Sequence, residues 1–187
     1  VMDAQNENQQ KKNIGLLFNT IKLAEQSDKA FNKIKEMQSP NGGFSWFKGG
    51  PDDRFITQYI ITGIGHLMHL KMLSSTDQDK LQTMLDKALP YLDARITDDY
   101  KDLLKYKTKL TDNNLSQYAT QYLYMRSFFK NKTVSAANKM AYDYYFYQQK
   151  KYWLSQSKYM QAMIALTQFR SADLITTNAI MKSQQEN

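Results

Sequence analysis

The chain has 187 residues, seven more lysines and arginines than aspartates and glutamates, and no cysteine. This length makes one domain or a large piece of one, and the missing cysteine excludes a disulfide framework, a Cys-based zinc site and a thiol nucleophile. No apolar run approaches the roughly 20 residues of a spanning helix, and the Asn/Gln-rich opening does not read as a signal peptide.

Helical periodicity runs through nearly the whole chain. Ile14, Leu17, Phe18 and Ile21 make an i, i+3, i+4, i+7 face. Ser27 is placed to cap a short helix with Ala30, Phe31, Ile34 and Met37 inward. Asp52 or Asp53 caps a longer helix carrying Ile56, Tyr59, Ile60, Ile64 and Leu67, with Gly63 and Gly65 where another backbone can approach. Thr76 or Asp77 opens the next, with Leu81, Met84, Leu85, Ala88, Leu89 and Leu92, and Pro90 should kink or restart it. Residues 94–111 break the rhythm with Asp98-Asp99 and four lysines, and read as a polar connection with a short helix around Tyr100–Tyr106. Asp112 then caps a helix carrying Leu115, Tyr122 and Phe129; Ser135, Ser157 and the region of Ser171 start three more. About eight helices with short turns predict an all-α fold of antiparallel hairpins.

One segment stands apart. The run Met37-Gln38-Ser39-Pro40-Asn41-Gly42-Gly43-Phe44-Ser45-Trp46-Phe47-Lys48-Gly49-Gly50-Pro51 holds four of the seven glycines and two of the three prolines. The glycine pairs permit two turns, and the prolines stop the flanking helices. Phe44, Trp46 and Phe47 between them are expected to tuck under neighbouring helices.

The pattern Gln-x-x-x-Gly-Gly-Phe-x-Trp, then glycines, then a helix beginning Ile56-Thr57, resembles the helical thioester-type domain of bacterial α2-macroglobulins. Val1-Met2-Asp3-Ala4, Ile14–Phe18, Ile56–Leu73, Trp153, Tyr159–Leu166 and Ala179–Ser183 extend the resemblance over most of the chain. It implies an α/α-toroid, of which residues 1–187 would be a single partial domain cut from a larger multidomain protein. The function implied is non-catalytic: part of an envelope or periplasmic peptidase inhibitor that traps its target after bait cleavage. The implied partners are other domains of the same polypeptide and, through the full-length protein, peptidases. Relatives with a thioester form it from a Cys and a Gln; this chain has no Cys and carries no residue matching that motif.

Catalytic, metal and cofactor residues are read as none. His66 and His69 lie at i, i+3 with no third ligand near in sequence, which favours a helix end or hairpin interface over a metal pair. Asp52-Asp53 reads as helix capping before acid/base chemistry. The lysines are scattered and only Arg54, Arg95, Arg126 and Arg170 join them, so no nucleic-acid stripe is present. Asn131-Lys132-Thr133 fits a glycosylation sequon, which carries meaning only in a eukaryotic secretory context. The aromatic run Tyr142, Tyr144, Tyr145, Phe146, Tyr147, Tyr152 and Trp153 wraps all sides of a helix, so one neighbour cannot bury it. An inner helix touched by neighbours on most sides would bury such a run, with tyrosine hydroxyls reaching the rim, and this packing reading is preferred. A contact surface for another domain or a partner is the alternative, and for it Trp46, Phe47, Tyr145 and Trp153 are the candidate binding residues. An α/α-toroid enzyme acting on glycans and a helical interaction module stand as alternatives.

Overall fold

Serines and aspartates begin the helices, and they fix the architecture. A computed structural model describes residues 25–26 and 28–186. Two units divide the chain, Val1–Gln38 and Ser39–Asn187. In the first, residues 28–36 are helical. The expected face at Ile14–Ile21, the Ser27 cap and the Val1–Ala4 match lie outside the described residues.

The second unit is all-α apart from one small ribbon. Its elements are β1 (Phe44–Ser45), β2 (Asp52–Asp53), α1 (Arg54–His69), α2 (Ser75–Lys105), α3 (Gln117–Arg126), α4 (Ala136–Tyr152), a 3-10 turn (Trp153–Ser155), α5 (Lys158–Arg170) and α6 (Leu174–Gln185). The strands pair antiparallel, Phe44 with Asp53 and Ser45 with Asp52. Helices α1 and α2, α3 and α4, and α5 and α6 pack as successive pairs; α3 also packs on α1 and α5, and α4 on α2. Ile61, Leu81, Leu85, Leu92, Ile96, Tyr122, Leu123, Met125, Ile164 and Ile180 fill the core between these rows.

The caps are local chemistry. Asp53 accepts from the Ile56 amide at 2.9 Å, as expected for one of the two acids. Ser157 accepts from Met160, and Ser135 stands at the start of α4. Three starts differ from expectation. Ser74, two residues before Thr76, caps α2 by accepting from Asp77. Ser116, and not Asp112, caps α3, and Asp173 caps α6.

The largest difference is at residues 94–111. α2 continues through Pro90 to Lys105. Proline removes one helical hydrogen bond, but Leu89, Tyr91, Leu92 and Ile96 on both sides of it are buried and hold the helix in place. Arg95 and Asp98 pair at 3.0 Å along the helix, and Asp99 pairs with Arg54 of α1 at 2.7 Å. The polar composition reflects a solvated face, not a break.

Three helices are followed by a left-handed residue that is not glycine. Lys71, Lys107 and Ala172 have φ of 54°, 53° and 62°. In each case the next amide reaches back into the last turn: Met72 to Leu67, Thr108 to Leu103, Asp173 to Gln168. These are left-handed C-terminal caps made by L-residues, at a cost of roughly 1–2 kcal/mol each.

The irregular stretch between α2 and α3 is held from a distance. The Gln148 side chain on α4 donates to the Leu110 and Asp112 carbonyls at 3.1 and 3.0 Å, and accepts from the Asn114 amide at 2.9 Å. Asp112, expected as a cap, is thus part of a turn shaped by this buried amide.

Candidate functional site

The glycine-rich segment forms the start of the site. Gly42 has φ +98°, and a Cβ there would lie 2.1 Å from the Lys87 carbonyl oxygen of α2. Only glycine lets the chain approach so closely. The Asn41 side chain accepts from the Gly43 amide, and the Ser39 amide donates to the Gly43 carbonyl. The Phe44 amide donates to the Thr57 hydroxyl at 2.8 Å, tying the ribbon to α1. Asp52 accepts from Tyr91, and that hydrogen bond holds its carboxyl below the usual range.

The three aromatic residues of this segment part ways. Phe44 is fully buried, as expected, but Trp46 and Phe47 are 60% and 65% exposed. The expectation that their rings tuck under helices is corrected. Pairing puts Phe44 on the inner face of the ribbon, whereas Trp46 and Phe47 lie beyond the last pair, in the tip that Gly49 and Gly50 close. Trp46 stacks on Phe55 of α1 (centroids 6.3 Å apart, planes 17° apart), and Phe55 stacks on Tyr59 (6.4 Å, 19°).

This aromatic line borders a groove of about 540 Å³, within the size range of ligand sites. Helix α1 supplies Phe55, Tyr59, Gly63 and His66, which recur at helical spacing. Helix α3 supplies Gln121 and Tyr124, and α5 supplies Tyr159, Met163 and Leu166. Since α3 packs on both α1 and α5, it lies between them. No carboxylate lines the groove.

Gly63 differs from the expectation that a backbone approaches it. Nothing lies within 4 Å of a Cβ built there. A mid-helix glycine costs roughly 0.5–1 kcal/mol relative to alanine, and here no packing contact accounts for it. Its missing side chain leaves the groove open. Gly65 is the crowded one: its Cβ would meet the Phe128 ring at 2.7 Å.

His66 and His69 lie at the end of α1, as read from the sequence. His66 Nε2 and the Tyr124 hydroxyl share a hydrogen bond of 3.1 Å, and the imidazole packs against Phe128 with centroids 4.7 Å apart. Burial, then the positive charges of Arg170 and His69, pull the His66 pKa below its ordinary 6.5. Among the described residues no cluster of three His, Cys, Asp or Glu could hold a metal ion. The groove offers hydrogen bonding and apolar contact, with no paired acids for glycoside chemistry.

The other two candidate binding residues lie away from it. Tyr145 is 3% exposed, in contact with Tyr144 at 5.0 Å. Trp153 is half-buried in the 3-10 turn. The α4 aromatic run therefore mainly packs inward, with Tyr147 its exposed member.

Sequence reading missed a buried ionic network. Asp93 of α2 accepts from Tyr122 at 2.7 Å and from Arg126 Nη2 at 3.2 Å, and Arg126 Nε lies 3.0 Å away. Both charged side chains are almost wholly buried. Burial pushes the Asp93 carboxyl up, against the pull of Arg126 and Tyr122. Burial likewise pushes the Tyr122 hydroxyl up. Arg126 Nη1 has no hydrogen-bond partner among the described residues. Leaving such a donor unsatisfied costs about 1–3 kcal/mol or more for a charged group. The signal in the sequence was faint: Asp93 and Arg126 stand on the apolar faces of their helices.

No family model matches the chain, and no curated protein or solved structure matches it either. Among the described residues no helix is long and apolar enough to cross a membrane.

Proposed function

We propose that this chain is a non-catalytic helical domain of a bacterial α2-macroglobulin-like peptidase inhibitor of the cell envelope. Its groove is the face on which another segment of the same polypeptide docks. The single observation that carries the docking role is the groove kept open at Gly63 and bordered by the stacked Trp46, Phe55 and Tyr59. A contiguous apolar surface with hydrogen-bonding groups at its floor suits a protein partner. The order of helix pairs, with α1, α3 and α5 in one row and α2 and α4 in another, supports an arc of an α/α-toroid. The Gly-Gly-Phe-x-Trp segment supports the family reading. Peptidases would meet this domain only through the full-length protein.

The test uses the full-length protein. Cutting its bait region should change the small-angle scattering profile and shield the peptidase from large substrates while sparing small ones. Gly63→Leu, which fills the groove, should shift the uncut protein toward the cut profile. An unchanged profile on cutting, with the peptidase fully active on large substrates, would refute the trap. A Gly63→Leu protein indistinguishable from wild type would remove the groove from the docking role.

A further inference from the structure

We propose that the cavity beside Arg126, at the turn between α3 and α4, binds a tetrahedral oxyanion, phosphate or sulfate, free or as the ester of a small polar molecule. The cavity measures about 470 Å³, and its lining includes Arg126, Lys130, Lys132, Thr133, Lys139 and Tyr142, with no carboxylate. Arg126 is 4% exposed. Its Nε and Nη2 are turned to Asp93, and its Nη1 donor is buried without a partner. Arg126 is among the lining residues, and a cavity lined by four cations with no carboxylate is matched best by an anionic acceptor.

The surrounding charges favour the same occupant. Lys132 pairs with Asp86 at 2.7 Å, and Lys139 pairs with Asp143. Neither acid lines this cavity; Asp86 and Asp93 line a smaller neighbouring one that shares Arg126, Lys132 and Thr133 with it. Lys130 has no carboxylate partner among the described residues. It also lines a third cavity, with His69 and Arg170, that is free of acids too. Arg170 there donates to the Ser127 hydroxyl and lies 3.7 Å over the Phe128 ring. Three compensated cations and two uncompensated ones thus gather around one short turn. A tetrahedral anion has enough oxygens to accept from the guanidinium, a lysine and the Tyr142 or Thr133 hydroxyl together. The cavity exceeds a bare anion, which leaves room for a small ester.

The experiment titrates the full chain with inorganic phosphate, sulfate and glucose 6-phosphate, at constant ionic strength set by sodium chloride. Binding is read by calorimetry and by amide and arginine side-chain NMR shifts. Saturable binding is expected, with shifts confined to Arg126 and residues 127–142. Lys130→Ala should weaken it about tenfold, the loss of one charged hydrogen bond. Arg126→Ala strands Asp93 and can unfold the chain, so Lys130→Ala and Lys139→Ala carry the test. Tighter binding of glucose 6-phosphate than of phosphate assigns an ester; equal binding assigns the free anion. No saturation beyond the sodium chloride effect, shifts spread over the surface lysines, or both variants binding as wild type would overturn the proposal.

Discussion

The glycine-rich segment and helix α4 are both dense in aromatic residues, yet one turns its rings out and the other turns them in. In the segment, a two-residue ribbon buries Phe44 and carries Trp46 and Phe47 past the last strand pair into solvent. In α4, neighbours α2, α3 and α5 pack around the helix, so Tyr145 is buried and Tyr142, Tyr144 and Phe146 are half-buried. Aromatic density alone does not distinguish a contact surface from a core. The number of elements that can reach the rings does: a helix among three partners has few free sides, and a loop tip is free on most.

The comparison is broken most directly by truncating one ring from each region. Tyr145→Ala should cost about 3–5 kcal/mol, the range for large buried aromatics, whereas Trp46→Ala should cost under about 0.5 kcal/mol. Urea denaturation of the two variants measures both, and comparable losses would erase the distinction. The ribbon's rigid base gives the next effect. Gly42→Ala drives a Cβ into the Lys87 carbonyl and should destabilise by about 1–3 kcal/mol, as overpacking does. The open glycine of the groove should respond with the opposite sign. Gly63→Ala is expected to raise stability by about 0.5–1 kcal/mol, seen as a higher denaturation midpoint at unchanged slope; a loss there would show that the groove wall is already filled.

The smallest effect concerns the end of α4. Lys150 there pairs with Asp173 at 2.6 Å. That contact, with the Thr176 amide, lowers the Asp173 pKa from 3.8 to about 2. Because the folded value is the lower one, the contribution to stability is complete above pH 3.8 and is lost as pH falls toward 2. Lys150→Ala should flatten the pH dependence of stability in that window, and an unaltered curve would leave Asp173 to its cap alone.

The sequence patterns located the helices well wherever local chemistry sets them. The Asp53, Ser135 and Ser157 starts were legible because capping is short-range. The inward faces of α1 and α5 were legible only in part: Ile64, Met160 and Ile164 are buried, but Tyr59, Leu67 and Phe169 are exposed, and Thr57, Gln58, Gln161, Thr167 and Gln168 point inward in hydrogen-bonded packing that apolar spacing does not mark. The length of α2 was not. Its last turns carry charged residues whose partners are remote, as Asp99 with Arg54, and its end is made by Lys107 in a conformation usually marked by glycine. Of the site, the ring-bearing segment was legible but its outward turn was not, because a ribbon of two residues leaves no alternating pattern. Gln121, Tyr124 and Met163 meet Tyr59 only through tertiary packing. Asp93 and Arg126 meet for the same reason.

The Gln148 amide has a consequence for the order in which the chain acquires its shape. It serves the backbone of residues 110–114 as a missing strand would, yet it comes from a helix 34 to 38 positions later in sequence. Those residues have no regular structure of their own to settle into. Their geometry therefore follows the docking of α4 and cannot precede it, since closing that loop is repaid only when the distant contacts form. The Asn114 amide becomes a reporter of that event, and its exchange with solvent should slow together with the amides of α4 during refolding, after those within α2 are already protected.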